Sequence, residues 1–263
     1  MKKFFVIGNP IKHSLSPLLH NYWIKNNSID AIYEKKKIDK DHLKNLMLEI
    51  RNKKINGINV TVPFKKAVIP FLDELSIEAQ STQSVNTIHF KDNRIIGHNT
   101  DIVGFERSIK ELKYSLNNKE VLILGAGGVV PSIIFALIKM KVSIIKISNR
   151  TKKKAEDLKK LFKNIEILEW GEVSDFDMII NATSLGLKQE DNINLDLSFI
   201  SKNKLFYDVI YNPKETNFLK TGRKLGHTTL NGKLMFIYQA RSAFNIWHGF
   251  EPEINNKIIK LLD

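Results

Sequence analysis

The chain has 263 residues, of which 43% are hydrophobic and 26% charged, so it is long enough for two modest domains and typical of a soluble globular protein. It contains no cysteine, which excludes a disulfide framework, a thiolate nucleophile and a cysteine-bound metal, and which is compatible with a cytoplasmic location. The formal net charge of +13 raises nucleic-acid binding as an alternative, but the lysines are spread along the chain without a zinc-finger or RRM signature, which favours attraction of small anions.

The N-terminal segment predicts a strand from Lys3 to Ile7, whose apolar run is too short for a signal-peptide core; no later segment approaches the roughly 18 apolar residues of a membrane span. A polar loop follows, and its Ser-Pro pair at Ser16 is typical of a helix N-cap, so we expect a helix from about Leu18 to Asn26. Capping explains Ser16 but not Ser14. Both hydroxyls follow a strand, where open α/β sheets bind ligands.

A second strand from 31 to 35 and a helix from 42 to 52 precede the segment INGINVTVPFKK. Alternation along this segment places Asn59 and Thr61 on one side of a strand. Pro63 then predicts a short helix with Lys65 in its first turn, where the positive end of the helix disfavours a cation. Lys65 is therefore either simply exposed or held by a carboxylate or a substrate oxygen.

The segments 84–90 and 94–97 predict a hairpin that includes Asn86. An amphipathic helix follows, and Asp101 stands at its start. The carboxylate is either a helix cap or the group that faces Lys65.

The stretch from Val121 to Thr151 predicts strand, tight turn, helix and strand. Its turn, Gly125-Ala126-Gly127-Gly128, lets the backbone approach a pyrophosphate closely, with the N–H groups of the helix start pointing at it. Glycine-rich turns of this kind also occur for packing reasons alone, and the third motif position holds Val130 instead of a small residue.

The next strand, from 143 to 147, leads to Asn149, Arg150 and Thr151, with three lysines behind them. An acidic residue here would bind the ribose 2′-hydroxyl of NAD, and none is present. A guanidinium suits a phosphate, so the pattern predicts NADP(H), although a solvated basic helix start explains it too.

The remaining chain predicts a helix at 152–162 and strands at 165–168, 178–181 and 205–210. The polar loop 181–186, which begins with Asn181 at a strand end, is a candidate cofactor contact. After Asn231-Gly232 a largely apolar helix carries Gln239, whose amide needs a ligand or a backbone carbonyl as partner. His13 and His20 lack a third ligand, so no metal site is expected.

Nine motifs stand in order between Gly8 and Gly249: GNPIKHSLSP, NVTVPFK, VNT, GHNTD, GAGG, NRT, NATS, DVIYNP and YQA. Together they resemble the shikimate dehydrogenases over nearly the full chain. The resemblance implies an α/β fold with two domains. These are a substrate-binding, catalytic α/β domain (1–101 and 236–263) and a Rossmann-like NADP-binding domain with a parallel sheet (102–235).

The implied activity is the reversible reduction of 3-dehydroshikimate to shikimate by NADPH, on the chorismate pathway to aromatic amino acids. Lys65 and Asp101 would be the catalytic pair. Hydride delivery to a ketone builds an alkoxide that needs a proton and a nearby positive charge, and Lys65 can supply either. The other residues implied to bind the substrate are Ser14, Ser16, Asn59, Thr61, Asn86, Tyr211 and Gln239.

The cofactor residues implied by the resemblance fall into three groups. Those at the pyrophosphate are Gly125, Ala126, Gly127, Gly128 and Val129; those near the 2′-phosphate are Asn149, Arg150, Thr151 and Lys154; those towards the nicotinamide are Thr183, Val209, Gly232 and Met235. The family's usual small and basic residues after the glycine turn are replaced by Val129, Val130 and Pro131, and its usual Gly-Ala before the VNT motif is replaced by Gln83-Ser84.

Three rival functions stay open. A family member that prefers quinate or uses NAD is disfavoured by the serine pair and Arg150. A non-catalytic paralogue would be expected to lack Lys65 or Asp101, and both are present. A nucleic-acid-binding protein would lack dehydrogenase activity. The oligomeric state cannot be read from the sequence, and a homodimer is one option.

Overall fold

A computed structural model describes residues 1–262. The chain divides into two compact units, the first formed by Met1–Gly104 with Ile237–Asp263 and the second by Phe105–Phe236. Each unit has its own six-stranded sheet. The predicted α/β class with two domains, one of them with the parallel sheet of a Rossmann-like fold, is confirmed by these units and sheets.

The first unit contains a mixed sheet in the order β2-β1-β3-β5-β6-β4. Strand β1 is parallel to β2 and β3, whereas β5 runs antiparallel to β3 and β6. The strands are β1 (Lys2–Gly8), β2 (Ala31–Lys37), β3 (Gly57–Val60), β4 (Glu74–Leu75), β5 (Thr87–Lys91) and β6 (Arg94–His98). The helices are α1 (Ser16–Asn26), α2 (Leu43–Arg51), α3 (Ile77–Thr82) and α9 (Asn256–Leu261), with the first turn of α4 (Asp101–Glu111) and most of α8 (Lys233–His248).

One hydrophobic core of the first unit lies between this sheet and α2. The apolar face of α2 is buried as its 3.6-residue spacing requires, and every residue of β3 is buried. The predicted hairpin is confirmed, and its two-residue turn uses Asp92 and Asn93, both with positive φ.

The second unit has a fully parallel sheet in the order β12-β11-β10-β7-β8-β9. Its strands are β7 (Glu120–Leu124), β8 (Ile144–Ser148), β9 (Ile165–Leu168), β10 (Met178–Asn181), β11 (Leu205–Asp208) and β12 (Thr228–Leu230). Its helices include α5 (Val130–Lys139), α6 (Lys152–Leu161) and α7 (Asn217–Lys224). With β7 counted as the first strand, the strand order is that of a dinucleotide-binding fold. Strands β8 and β9 are added on one side of β7, and β10, β11 and β12 on the other side, so the order of the strands reverses between β7 and β10.

Two local predictions are wrong. Leu15 occupies the N-cap position without a capping side-chain hydrogen bond, and Ser16 is the first residue of α1, where its N–H donates to the hydroxyl of Ser14 at 3.3 Å. No helix begins at Pro63, and Lys65 lies in a run of turns. The carbonyl of Lys65 accepts the N–H of Val85 at 2.9 Å, which is a long-range bond and not one that closes a helical turn.

The substituted pair before the VNT motif also has a structural explanation. Gln83 ends α3 in a left-handed conformation with φ of 49°, which glycine adopts without steric cost. The side chain of Gln83 donates to the carbonyl of Gln80 at 2.7 Å, and Asn86 keeps its place beyond it.

Candidate active site

The first unit brings Lys65 and Asp101 into direct contact. The ammonium Nζ of Lys65 lies 2.5 Å from Oδ2 of Asp101, and the two side chains are only 13% and 9% exposed. Lys65 comes from the turns after β3, and Asp101 is the first residue of α4. No other partner of the Lys65 ammonium occurs within residues 1–262. Its remaining N–H donors are therefore available to a ligand.

Asn86 holds the carboxylate of this pair in place. Its amide Nδ2 donates to Oδ1 of Asp101 at 2.9 Å, and its Oδ1 accepts the N–H of Thr100 at 2.8 Å. The backbone N–H of Asp101 donates to the side chain of Asn99 at 3.1 Å. Each polar atom of this turn thus has a defined partner, so the carboxylate is oriented before any ligand arrives.

Asn59 lies in the same network, but its amide is fully occupied by protein groups. Its Nδ2 donates to the carbonyl of Asn86 and to Oγ1 of Thr87, both at 3.0 Å, and its Oδ1 accepts from the Tyr33 hydroxyl at 2.7 Å. Asn59 is 7% exposed. The side chain of Asn59 therefore positions Tyr33, Asn86 and Thr87.

The other polar residues predicted around the substrate differ in their surroundings. The Ser14 hydroxyl donates to the Ser16 hydroxyl at 3.2 Å, next to the start of α1. Thr61 follows β3, and within the described part of the chain its hydroxyl has no protein partner. Gln239 is half-buried on α8. Tyr211 belongs to the second unit, where its ring stacks on Phe236 with centroids 4.6 Å apart.

The glycine turn of the second unit follows β7 at the reversal point of the sheet. Gly125 has φ of +109°, and a Cβ at this position would lie 2.8 Å from the carbonyl oxygen of Ala182. Gly127 and Gly128 are exposed, and a Cβ on Gly127 would meet only that oxygen, at 3.7 Å. The turn therefore has at its base a glycine that no L-residue can replace without strain, and an open surface above it that leaves room for a pyrophosphate.

We expect Gly125→Ala to lower the free energy of unfolding of the ligand-free protein by at least about 2 kcal/mol, because an L-residue is strained at this φ and its Cβ overlaps the Ala182 backbone. Gly127→Ala is the matched control and should unfold like the parent in urea. Equal midpoints and slopes for all three proteins would show that the turn does not depend on glycine at its base.

The replacement of small residues by valine after the turn is accommodated by packing. Val130 begins α5 with no exposed surface, and Pro131 lies in the first turn, where its missing N–H costs no helical hydrogen bond. The turn keeps its connection to the sheet, because the N–H of Gly125 donates to the carbonyl of Ser148 at 2.8 Å.

The basic residues after β8 separate into two classes. Lys152 pairs with Glu169 at 2.5 Å, and Lys153 lies 3.7 Å from Asp157 on its own helix. Arg150 and Lys154 form no ion pair within residues 1–262. They are the cations that remain available for a phosphate beside the adenine ribose, and no acidic residue occupies the end of β8.

Asn181, the first residue of the predicted polar loop, and Asp208, which the sequence analysis did not single out, fix the loops that follow β10 and β11. Nδ2 of Asn181 donates to the Leu185 carbonyl at 2.9 Å and to Asp208 at 3.1 Å, while its Oδ1 accepts from the Thr183 hydroxyl at 2.7 Å. Burial raises the pKa of the Asp208 carboxyl, although hydrogen bonds from Thr216 and other groups oppose this shift. Their position at two adjacent strand ends is the signal that identifies them.

Gly232 belongs to the same end of the sheet. A Cβ at Gly232 would lie 2.1 Å from the carbonyl oxygen of Val209, so only glycine permits this approach. Met235 is buried one turn further along α8. Four predicted cofactor residues, Thr183, Val209, Gly232 and Met235, thus lie on loops and a helix start that follow β10, β11 and β12.

Residues 1–262 contain neither a metal-binding cluster nor a membrane-spanning helix. No group of three or more His, Asp or Glu side chains is arranged to hold a metal ion. No helix in this range combines the length and the apolar character that crossing a membrane requires.

Comparisons with known proteins match both units. Residues 6–88 match the family model described as shikimate dehydrogenase substrate binding domain, and residues 107–194 match the model of shikimate/quinate 5-dehydrogenase. The NADP(+)-dependent shikimate dehydrogenase of Pelagibacter ubique is 61% identical over 262 residues, which cover 100% of this chain and 99% of that protein.

Solved structures agree with this match. Shikimate dehydrogenase from Aquifex aeolicus is 35% identical with a TM-score of 0.89, and the alignment covers 100% of this chain and 97% of the other. The enzyme from Thermus thermophilus, solved with NADP(H) and shikimate, is 29% identical with a TM-score of 0.90, and the coverage is 100% and 98%.

Proposed function

This chain belongs to the shikimate dehydrogenase family, and we infer that it catalyses the reversible NADPH-dependent reduction of 3-dehydroshikimate to shikimate. It is an oxidoreductase that acts on a CH–OH group and serves the shikimate pathway. The observation that carries the inference is the contact between the Lys65 ammonium and the Asp101 carboxylate, which a protein that only keeps the fold has no need to preserve.

When bound, NADPH supplies the hydride. The contribution of Lys65 is at the substrate oxygen, where a carbonyl becomes an alkoxide and needs positive charge or a proton. Asp101 fixes the ammonium and can accept a hydrogen bond from a neighbouring substrate hydroxyl. Because Asn86 and the backbone already orient the carboxylate, little reorganisation accompanies the reaction.

We assign the substrate carboxylate to the hydroxyls of Ser14 and Ser16, since both can donate to an anion. Thr61 and Asn86 are assigned to the carboxylate or the ring hydroxyls, and so are Gln239 and Tyr211. Asn59 has the same assignment. The amides of Asn59 and Asn86 both have protein partners at both ends, so each of these residues also positions its neighbours.

The first unit is assigned to the substrate and the second to NADP(H). The residues of the second unit fit this cofactor because Gly127 leaves the turn open and because Arg150 and Lys154, after β8, form no ion pair within residues 1–262. Gly125, Ala126, Gly127, Gly128 and Val129 would hold the pyrophosphate. The 2′-phosphate is assigned to Asn149, Arg150, Thr151 and Lys154.

Arg150→Ala is expected to raise KM for NADPH by a factor that corresponds to about 1.5–3 kcal/mol, the range for a hydrogen bond to a charged group. Initial rates at saturating substrate measure this factor. Lys153→Ala removes an exposed cation of the same basic run that lies near Asp157, and its KM should match that of the parent. An unchanged KM in Arg150→Ala would remove this residue from the phosphate site.

One assay tests the function as a whole. The purified protein is given shikimate and NADP, then quinate in place of shikimate, then NAD in place of NADP, and the absorbance of the reduced nicotinamide is followed. We expect the largest kcat/KM for shikimate with NADP. Faster turnover with quinate or NAD would contradict the assigned specificity, and no turnover with any pair would contradict the function.

The cytoplasmic location remains a prediction, and so does the option of a homodimer. Light scattering on the eluate of a sizing column, at concentrations on both sides of the assay concentration, tests the second of these.

A further inference from the structure

Asp208 is a buried carboxylate that joins two loops of the second unit. It has no exposed surface, and it is the last residue of β11. Its Oδ2 accepts from the hydroxyl of Thr216 at 2.6 Å and from Nδ2 of Asn181 at 3.1 Å, and its Oδ1 accepts the N–H of Ile210 at 2.9 Å. One carboxylate thus connects the end of β10, the loop after β11 and the start of α7.

The loop after β10 is fixed by the same amide that reaches Asp208. Oδ1 of Asn181 accepts both the N–H of Thr183, at 3.1 Å, and its hydroxyl, at 2.7 Å. Nδ2 of Asn181 donates to the carbonyl of Leu185 at 2.9 Å, and the hydroxyl of Thr183 accepts the N–H of Leu185 at 3.0 Å. The first amide proton of Asn181 therefore closes this loop, and the second links the loop to Asp208.

The backbone of the loop after β11 is held from both sides. The N–H of Val209 donates to the carbonyl of Asn181 at 3.0 Å, and the carbonyl of Ile210 accepts the N–H of Gly232 at 3.1 Å. A Cβ on Gly232 would lie only 2.1 Å from the carbonyl oxygen of Val209. The loop therefore has no room to shift towards the start of α8, and its position depends on the groups that Asp208 connects.

The directions of these hydrogen bonds require a carboxylate at position 208. The carbonyl of Leu185 only accepts, so Nδ2 of Asn181 faces it and directs its other proton to Oδ2 of Asp208. The N–H of Ile210 only donates, and it faces Oδ1. Each oxygen of Asp208 therefore faces a group that only donates. An amide at this position would place its own NH₂ group against one of these donors in either orientation.

We propose that Asp208 is a positioning residue for the nicotinamide half of the cofactor: it holds the loops after β10 and β11 together, and so provides affinity for that half alone. The proposal rests on the proposed function, in which NADP(H) binds to the second unit and Thr183, Val209 and Gly232 lie towards the nicotinamide. Arg150, assigned to the 2′-phosphate, follows β8, which β7 separates from β10. The competing explanation is that the carboxylate of Asp208 stabilises the fold and nothing else.

Asp208→Asn keeps the shape of the side chain and places an amide among donors. We expect Kd for NADPH, measured by isothermal titration calorimetry, to rise about ten- to hundredfold, the range for a buried polar group left without its partner. The second ligand is 2′,5′-ADP, which carries the adenosine and the 2′-phosphate without the nicotinamide half. Its Kd should stay within about twofold of the parent value, because sites without shared partners act independently.

Asp177→Asn is the matched control. Asp177 precedes β10, at the opposite end of this strand from Asn181. Its carboxylate accepts from the ammonium of Lys119 at 3.0 Å and from the N–H of Glu120 at 2.9 Å. The variant makes the same chemical change in the same sheet, away from the two loops. It should bind NADPH and 2′,5′-ADP like the parent, even if its melting temperature falls.

The parent protein separates this proposal from the function on which it rests. If the parent binds neither NADPH nor 2′,5′-ADP, the cofactor assignment of the proposed function fails, and the positioning role fails with it. If the parent binds both ligands and Asp208→Asn changes only the melting temperature, the positioning role fails and the function stands. An equal loss of affinity for both ligands in Asp208→Asn would also overturn the positioning role, because it would show a general disturbance of the unit.

Two changes at Thr216 cover the case in which Asp208→Asn does not fold. Thr216→Val removes the hydroxyl that donates to Asp208 and leaves the other two hydrogen bonds of the carboxylate, whereas Thr216→Ser keeps the hydroxyl. We expect Kd for NADPH to rise about three- to tenfold in Thr216→Val, with Kd for 2′,5′-ADP unchanged, and parent-like values in Thr216→Ser. Equal affinity of the two variants for NADPH would overturn the proposal.

Discussion

Lys65→Ala is expected to lower kcat by about 10²–10⁴, the range that general acid assistance contributes, while KM for NADPH stays nearly unchanged. The reason is local: within residues 1–262 the ammonium contacts Asp101 alone, and it lies in the unit that does not carry the glycine turn. Steady-state rates at saturating NADPH and varied 3-dehydroshikimate measure the loss.

The adjacent Lys66 provides the control, because it is exposed and belongs to the same run of turns. Lys66→Ala should keep the parent kcat. Parent-like turnover in Lys65→Ala would exclude this lysine from the mechanism. Rate measurements with Lys65→Arg add a distinction, because a guanidinium keeps the positive charge but cannot release a proton at neutral pH. Recovery of rate in that variant would indicate oxyanion stabilisation instead of proton transfer.

The second large effect is expected for Asp101→Asn, which keeps the shape of the side chain and removes its charge. We expect kcat to fall by about 10²–10³, the cost typical of losing one preorganised group at a reacting centre. The ammonium of Lys65 would lose the partner that fixes it. The double variant with Lys65→Ala should be little worse than the poorer single variant, because residues that act as a unit are not additive.

Asp73→Asn is a suitable comparison for this change. Asp73 forms an ion pair with Arg51 at 2.7 Å in the same unit, and it also accepts the N–H of Ile95. Hydrogen bonds from Ile95 and Arg51, together with nearby positive charge, lower the pKa of the Asp73 carboxyl, so this substitution should cost stability without loss of turnover. A similar kcat for Asp101→Asn and Asp73→Asn would contradict a catalytic role of Asp101.

The helices that the sequence did not predict have recognisable starts. Ser76 accepts the N–H of Ala79 before α3, Thr216 accepts the N–H of Leu219 before α7, and Asn255 caps α9. These are favoured N-cap residues. Each helix has only six to eight residues, too few for the apolar spacing of an amphipathic helix to be recognised.

The sequence by itself predicted the class of the fold and NADP(H) from local patterns: apolar spacing, a glycine turn after a strand, and the absence of an acidic residue after the next strand. It predicted the family through the resemblance of nine motifs in order. The relatives confirm the family and the cofactor. Arg150 is predicted as a phosphate ligand from its place in the motif after the strand, so this prediction requires no knowledge of residues distant in the sequence.

Only the tertiary structure decided which polar residues meet. Asn59 and Thr61 are equivalent in the alternating pattern of the sequence, yet folding buries the amide of Asn59 against Tyr33 and Asn86, while the hydroxyl of Thr61 has no protein partner within residues 1–262. Tyr33 precedes Asn59 by 26 residues. Their pairing arises because β1 lies between β2 and β3 and pairs with both in parallel, an arrangement that depends on long-range contacts and on no local pattern.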